Sequence, residues 1–173
     1  MNDEMEKAVV AACQAGDKAA YAGLVQAHSG RIFAICFGVL GNRCDAEDMA
    51  QQALLKGFID IRRLRESDRF GPWIARIARN LCVDTLRRQK CRTAMVSDPS
   101  RSDEMQAGEL HRLEAALAKL SSDHRVPLLL FYFDGRSTES IAATLGISRA
   151  AVQARLSRSR KQLRRLLQAE GDE

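Results

Sequence analysis

Near the C-terminus a short run of side chains has the types and spacing needed to grip a polyanion. Arg149, Gln153, Arg155, Arg158 and Arg160 recur at helical intervals behind Ser148. Guanidinium groups fork onto phosphate oxygens, and arginine or glutamine early on a helix can reach base edges. The surrounding residues position them. Ile141, Ala142 and Leu145 make an apolar face on a first helix, and Gly146 supplies the left-handed residue that turns the chain. Ser148 is a natural N-cap, and Val152, Leu156 and Leu163 give the second helix its buried stripe. A short apolar helix, a glycine turn and a basic second helix read as a helix-turn-helix, so DNA is the first partner implied.

A second set lies upstream. Arg76, Asn80, Asp84 and Arg87 share one helical face, with Arg79 and Arg88 beside it and Arg62, Arg63 and Arg65 in the preceding segment. Ten Lys/Arg against three Asp/Glu between positions 61 and 92 give this block a net +7, and seven cations without an acid between 148 and 167 give the other +7. The whole chain of 173 residues carries only +5, so two basic blocks sit on an otherwise acidic protein, the pattern of two separate polyanion contacts. A third polar set has the opposite sign. Asp45, Glu47, Asp48, Gln51 and Gln52 open a helix and form an exposed, mostly acidic face. Acids in a first turn also favour the helix dipole without any partner.

Other chemistries find little support. The five cysteines, Cys13, Cys36, Cys44, Cys82 and Cys91, form no CxxC pair and have no histidine at ligand spacing, so neither a zinc site nor any cofactor is expected. They fit reduced thiols, with Cys36 and Cys82 in the core. No Ser/His/Asp arrangement or Gly-rich phosphate loop appears, which argues against an enzyme. The acidic start MNDEMEKAVV lacks a signal core and no apolar run reads as a membrane span, so a cytoplasmic protein without direct membrane insertion is expected.

Nearly everything else reads as helix, an all-α fold of two small helical domains. Helices are expected at 4–15, from 17 or 18 onward, at 29–40, at 45–60 with Asp45 as N-cap, and from Gly71-Pro72 to about Lys90. Phe70, Ile74, Ile77, Ala78 and Leu81 recur as core positions, and Trp73 is read as packing rather than base stacking. The polar stretch between Cys91 and Gly108 reads as a flexible linker, dividing the chain into 1–92, a linker at 93–109, and 110–169. The second domain opens with a leucine-faced helix. A helix carrying LLLFYF follows, and Pro127 is expected to kink its first turn or delay its start.

These segments, taken in order, resemble a bacterial RNA polymerase sigma factor of the extracytoplasmic-function (ECF) group of the sigma-70 family. The resemblance rests on GDKAAYAGLVQAH, DAEDMAQQALLKGF, FGPWIARIARNLCVDTLRR and LLLFYFDGRSTESIAATLGISRAAVQARLSRSRKQLRRLL, and it covers almost the whole chain. It implies sigma region 2, which docks on core polymerase and reads the promoter −10 element, and region 4, which binds the −35 element. Asp45, Glu47, Asp48, Gln51 and Gln52 would meet the β′ clamp coiled coil, and region 4 the β flap. The 62–69 loop would capture a flipped base, with Arg76, Arg79, Asn80, Asp84, Arg87 and Arg88 on the −10 strand. Ser148, Arg149, Gln153, Arg155, Arg158 and Arg160 would meet the −35 DNA. An anti-sigma factor is a further expected partner. The alternative is a stand-alone helix-turn-helix regulator, which leaves the acidic helix and the first basic block without a role.

Overall fold

The computed structural model describes residues 3–65, 70–93 and 109–169, and among them every regular element is helical. The N-terminal half contains α1 (Asp3–Ala15), α2 (Tyr21–Leu40), α3 (Arg43–Asp60), a single 3-10 turn (Ile61–Arg63) and α4 (Phe70–Thr93). The C-terminal half contains α5 (Glu109–Ala118), α6 (Ser122–Tyr132), α7 (Thr138–Leu145) and α8 (Arg149–Ala169). Most of the expected linker, and Arg69 of the loop, lie outside the described residues.

α2 is the central element, packed on α3, α4 and α6. It runs without a break where the sequence predicts two helices. Ser29-Gly30 does not interrupt it because His28, Arg31 and Ile32 on either side are all buried, and tertiary contacts override a weak local propensity. The expected start at Asp17 is replaced by a turn in which the Asp17 carboxylate accepts from the amides of Ala19 and Ala20. By length and composition α2 could cross a membrane, but half of it is packed inside the protein.

α3 begins earlier than expected, and its N-cap is Asn42 rather than Asp45. The Asn42 side-chain oxygen accepts from the Asp45 amide at 2.8 Å, and the Asn42 amide group donates to Asp45 Oδ2 at 2.8 Å. This reciprocal pair needs Asp45 three residues inside the helix. The buried face of α3 is a ladder of small residues, Ala46, Ala50, Ala53 and Gly57. A Cβ on Gly57 would lie 2.4 Å from Ile74 Cδ1, so the ladder lets α3 and α4 approach closely.

Against that ladder the core contains Leu24, Ile32, Ile35, Cys36, Phe70, Ile74, Ala78 and Cys82. Both predicted core cysteines are therefore buried. The Cys82 thiol beside it and burial raise the Cys36 thiol well above its ordinary value, so Cys36 stays protonated. Ile77 and Leu81, predicted as core, are only half-buried.

Pro127 neither delays nor interrupts α6, which starts five residues before it at Ser122. The amide it lacks would have bonded the carbonyl of Asp123, an exposed residue at the helix start where water can serve instead. Arg125, Val126, Pro127 and Leu128 are all buried, which holds the helix through the proline.

α1 is fastened to α2 by Glu6, whose carboxylate lies 3.0 Å from His28 Nε2. The His28 hydrogen bond holds the Glu6 carboxyl below its usual range against the opposing effect of burial. A depressed carboxyl contributes stability above its unfolded value near 4.5 and loses it as pH falls through the lower folded value. Glu6→Gln should therefore destabilise the protein at pH 7, and its difference from wild type should shrink below about pH 4, as read from paired urea titrations.

Candidate polymerase-docking and nucleic-acid surfaces

Gly146 closes α7 with φ 67°, and its amide donates to the Ala142 carbonyl. Ser137 caps α7 through Ser140 N, and Ser148 caps α8 by accepting from Ala151 N at 3.1 Å. Ile141, Val152 and Leu156 are buried between the two helices, as the spacing predicts. Ser159, which no pattern marked, is fully buried within reach of the His124 carbonyl at 2.9 Å and seats α8 on α6.

The C-terminal cations are not equivalent. Arg149 and Gln153 are exposed on one flank of α8, and Arg149 Nε is 2.9 Å from Glu139 Oε1. The backbone amide of Glu139 and the Ser137 hydroxyl keep that carboxyl low, so Arg149 is held by an ionised partner. Arg158 is exposed on the side away from the core. Arg155 is half-buried and reaches Asp123 of α6 at 3.5 Å. At about 100° per residue it lies roughly 160° around the helix from Gln153, on the opposite flank. Arg160 is exposed but donates through Nε to its own helix at Leu156 O, 3.2 Å away, and borders an apolar groove.

On α4, Arg76, Arg79, Asn80, Asp84, Arg87 and Arg88 are all exposed, opposite buried Ile74, Ala78 and Cys82. Arg62, Arg63 and Arg65 are exposed just before the helix. Arg63 pairs with Asp60 at 3.2 Å. Trp73, expected in the core, is half-buried. Its ring packs on Phe70 at 5.8 Å and lines a cleft of about 570 Å³ with Arg65, Arg76, Arg79 and Asn80. Helical spacing places it on the same face as Arg76 and Asn80, a phase that was readable from sequence but was outweighed by the general tendency of tryptophan to be buried.

On α3, Glu47, Asp48, Gln51 and Gln52 are exposed, while Asp45 is half-buried by its cap. Glu47 pairs with Arg43 at 2.8 Å. The same face continues into Leu55, 60% exposed, and Ile59, 68% exposed. Sequence reasoning marked only the polar residues of this face; the helix buries alanine and displays leucine and isoleucine. A polar stripe running into exposed aliphatic residues has the composition of a protein-docking surface.

The chain matches the family models "Sigma-70 region 2" over residues 24–92 and "Sigma-70, region 4" over residues 110–163. Its relatives include the ECF RNA polymerase sigma factor SigL of Mycobacterium tuberculosis, 30% identical over 94% of this chain and 97% of that protein. A probable RNA polymerase sigma factor RfaY of Xanthomonas campestris is 36% identical over 87% of this chain, which spans 41% of that longer protein. Among solved structures, CnrH in complex with the cytosolic domain of CnrY superposes with a TM-score of 0.72 at 25% identity, covering 95% of this chain and 98% of that one. The sigma factor RpoE with the anti-sigma factor NepR from Bartonella quintana gives 0.68 at 25% identity, covering 86% and 96%. With both halves matched in order and a full-length relative aligned almost end to end, the chain belongs to the ECF group of the sigma-70 RNA polymerase sigma factors.

Proposed function

We propose that the chain is a promoter-specificity subunit that carries no catalytic group of its own. The observation that supports this best is the separation of chemistry among three helices. α3 presents an acidic and aliphatic face for core polymerase, α4 an arginine and amide face for the −10 strand, and α8 an arginine and glutamine face for −35 DNA. Polymerase fixes the spacing of the two DNA contacts, so each can be weak by itself and the pair gains from effective concentration. A stand-alone regulator would not need the first two faces.

Within this reading Arg149, Gln153 and Arg158 are the −35 contacts, with Glu139 aligning Arg149 until DNA replaces it. Arg155 instead braces α8 against α6. Arg76, Asn80, Asp84 and Arg87 follow the −10 strand, with Trp73 closing one end of the surface.

One solved structure that resembles this chain is the sigma factor RpoE in complex with the anti-sigma factor NepR, which supports a partner of that kind here. A groove of about 820 Å³ between α2, α5, α6 and α8 is the proposed seat, with apolar walls including Phe37, Leu128, Tyr132 and Leu163 and basic rims at Arg160 and Arg164. An amphipathic helix with an acidic edge fits such a groove.

Gel shifts and run-off transcription test the function. The pure protein should bind its cognate promoter weakly, and adding core polymerase should produce a specific complex and a transcript. Arg149→Ala should reduce −35-dependent transcription by roughly 10- to 100-fold, the cost of one good base contact, while binding core normally. Tight sequence-specific binding without polymerase would overturn the reading.

A further inference from the structure

The turn that leads toward α4 has little to hold it internally. Ile61–Arg63 is a single 3-10 turn, closed by the Leu64 amide donating to Ile61 O at 3.1 Å. So short a helix is marginal by itself. A side chain distant in sequence supplies the rest. Gln14, in the last turn of α1, donates through Nε2 to Ile61 O at 3.2 Å and to Leu64 O at 2.8 Å. One amide group therefore ties both ends of the turn. Gly16, just beyond α1, has φ 108°, and a Cβ there would lie 3.6 Å from Arg62 Nη2. The Arg62 guanidinium thus rests beside the negative pole of α1.

The tie has a firm base. α1 is anchored independently by buried Val10 and Cys13 and by Glu6 on His28. Ile61 and Leu64 are buried, while Arg62, Arg63 and Arg65 stay exposed. Arg63 and Arg65 line the 570 Å³ cleft together with Trp73, Arg76 and Asn80 of α4. The backbone that aims these arginines is the one that Gln14 pins. α1 itself lies ahead of residue 24, where the region 2 match begins.

We infer that Gln14 is a positioning residue for −10 recognition. It orders the 61–65 segment in advance, so that Arg62, Arg63 and Arg65 meet the strand beside α4 without an ordering cost at binding. Gln14 need not touch DNA and acts through the turn. The inference rests on the −10 reading of this segment.

The test uses holoenzyme reconstituted from core polymerase and the full chain. The probes are a fluorescent single strand carrying the non-template −10 sequence of a promoter that this holoenzyme transcribes, and a scrambled copy of it. Gln14→Met keeps the length of the side chain and removes its donors. It should weaken binding of the −10 strand on the order of tenfold, the scale of ordering a long side chain at binding, and reduce the preference over the scrambled strand. Affinity for core and the circular dichroism spectrum should not change. Gln14→Lys retains donors at similar reach and should recover most of the preference, a ratio that a uniform gain from its added charge does not alter. Arg65→Ala separates the positioning role from the reading beneath it. Added to Arg65→Ala, Gln14→Met should cost much less than it does alone, because its effect passes through the segment that carries the arginine. Full additivity, or wild-type binding by Gln14→Met, would overturn the positioning role and leave the −10 reading intact. No loss from Arg65→Ala would overturn the −10 reading of the segment, and the inference with it.

Discussion

Replacing Phe70 with alanine is expected to cost about 3–5 kcal/mol in unfolding free energy, the range for deleting a fully buried phenylalanine. The ring has no exposed surface, and it meets three others: Tyr21 at 6.4 Å, His28 at 5.1 Å and Trp73 at 5.8 Å. Those partners come from α2 and from α4 itself, so the cavity would open where α4 begins. The next residue raises the cost of any collapse, because a Cβ on Gly71 would lie 2.4 Å from Arg31 Nη1 and the chain there has no room to shift inward. Urea titration should show the lost stability. Phe70→Leu, which retains much of the volume, should lose less. A loss under about 1 kcal/mol for the alanine variant would show that the site repacks and that Phe70 is not the anchor of α4.

The consequence reaches function through Trp73. Its ring leans on Phe70 and simultaneously lines the cleft beside Arg76 and Asn80. Losing Phe70 should free the tryptophan, so its fluorescence should redshift in the folded variant and single-stranded DNA binding should weaken more than an ordinary stability loss explains. If Trp73 fluorescence is unchanged, the coupling between core and surface is absent.

The parts of the fold that were legible in sequence are those held by local rules. Gly146, Ser148 and the Ile141, Val152, Leu156 stripe determine the helix-turn-helix through backbone conformation, capping and period, all readable in a short window. The parts that were not legible depend on distant neighbours. Continuity of α2 through Gly30 is enforced by burial of His28, Arg31 and Ile32. The inside of α3 is defined by what α4 can approach, so alanines face in and Leu55 and Ile59 face out, the reverse of a hydrophobicity-based reading. Arg155 matched the basic period of α8, but period alone does not say that Asp123 of another helix stands beside it. The same applies to Arg125, a lone arginine in an apolar run with no sequence pattern to mark it.

Arg125 carries the second large expected effect. Its guanidinium serves carbonyls at two helix C-termini, Gly38 and Val39 near the end of α2 and Leu117 and Ala118 at the end of α5. Both ends carry the negative pole of a helix dipole, and of these carbonyls Leu117 O also accepts from the Leu120 amide at 3.0 Å. Burial lowers the Arg125 pKa, yet it remains far from neutral at physiological pH. Arg125→Met keeps the aliphatic stem and removes every donor, leaving the Gly38, Val39 and Ala118 carbonyls without this partner at roughly 1–3 kcal/mol each, so a loss on the order of 3–5 kcal/mol is expected even if water reaches some of them. Arg125→Lys restores the charge but not the planar fork, and one ammonium cannot cover both helix ends, so it should recover less than half. The comparison with Gly38→Ala separates the two jobs of this side chain. If Arg125 only held α6 against α2, its replacement and Gly38→Ala, whose Cβ would lie 2.5 Å from Val126 Cγ2, would loosen that contact at similar cost in stability. Because it also caps α5 within its own half, Arg125→Met should lower the unfolding midpoint further than Gly38→Ala does. Equal midpoints for the two variants would mean that the α5 carbonyls do not depend on Arg125.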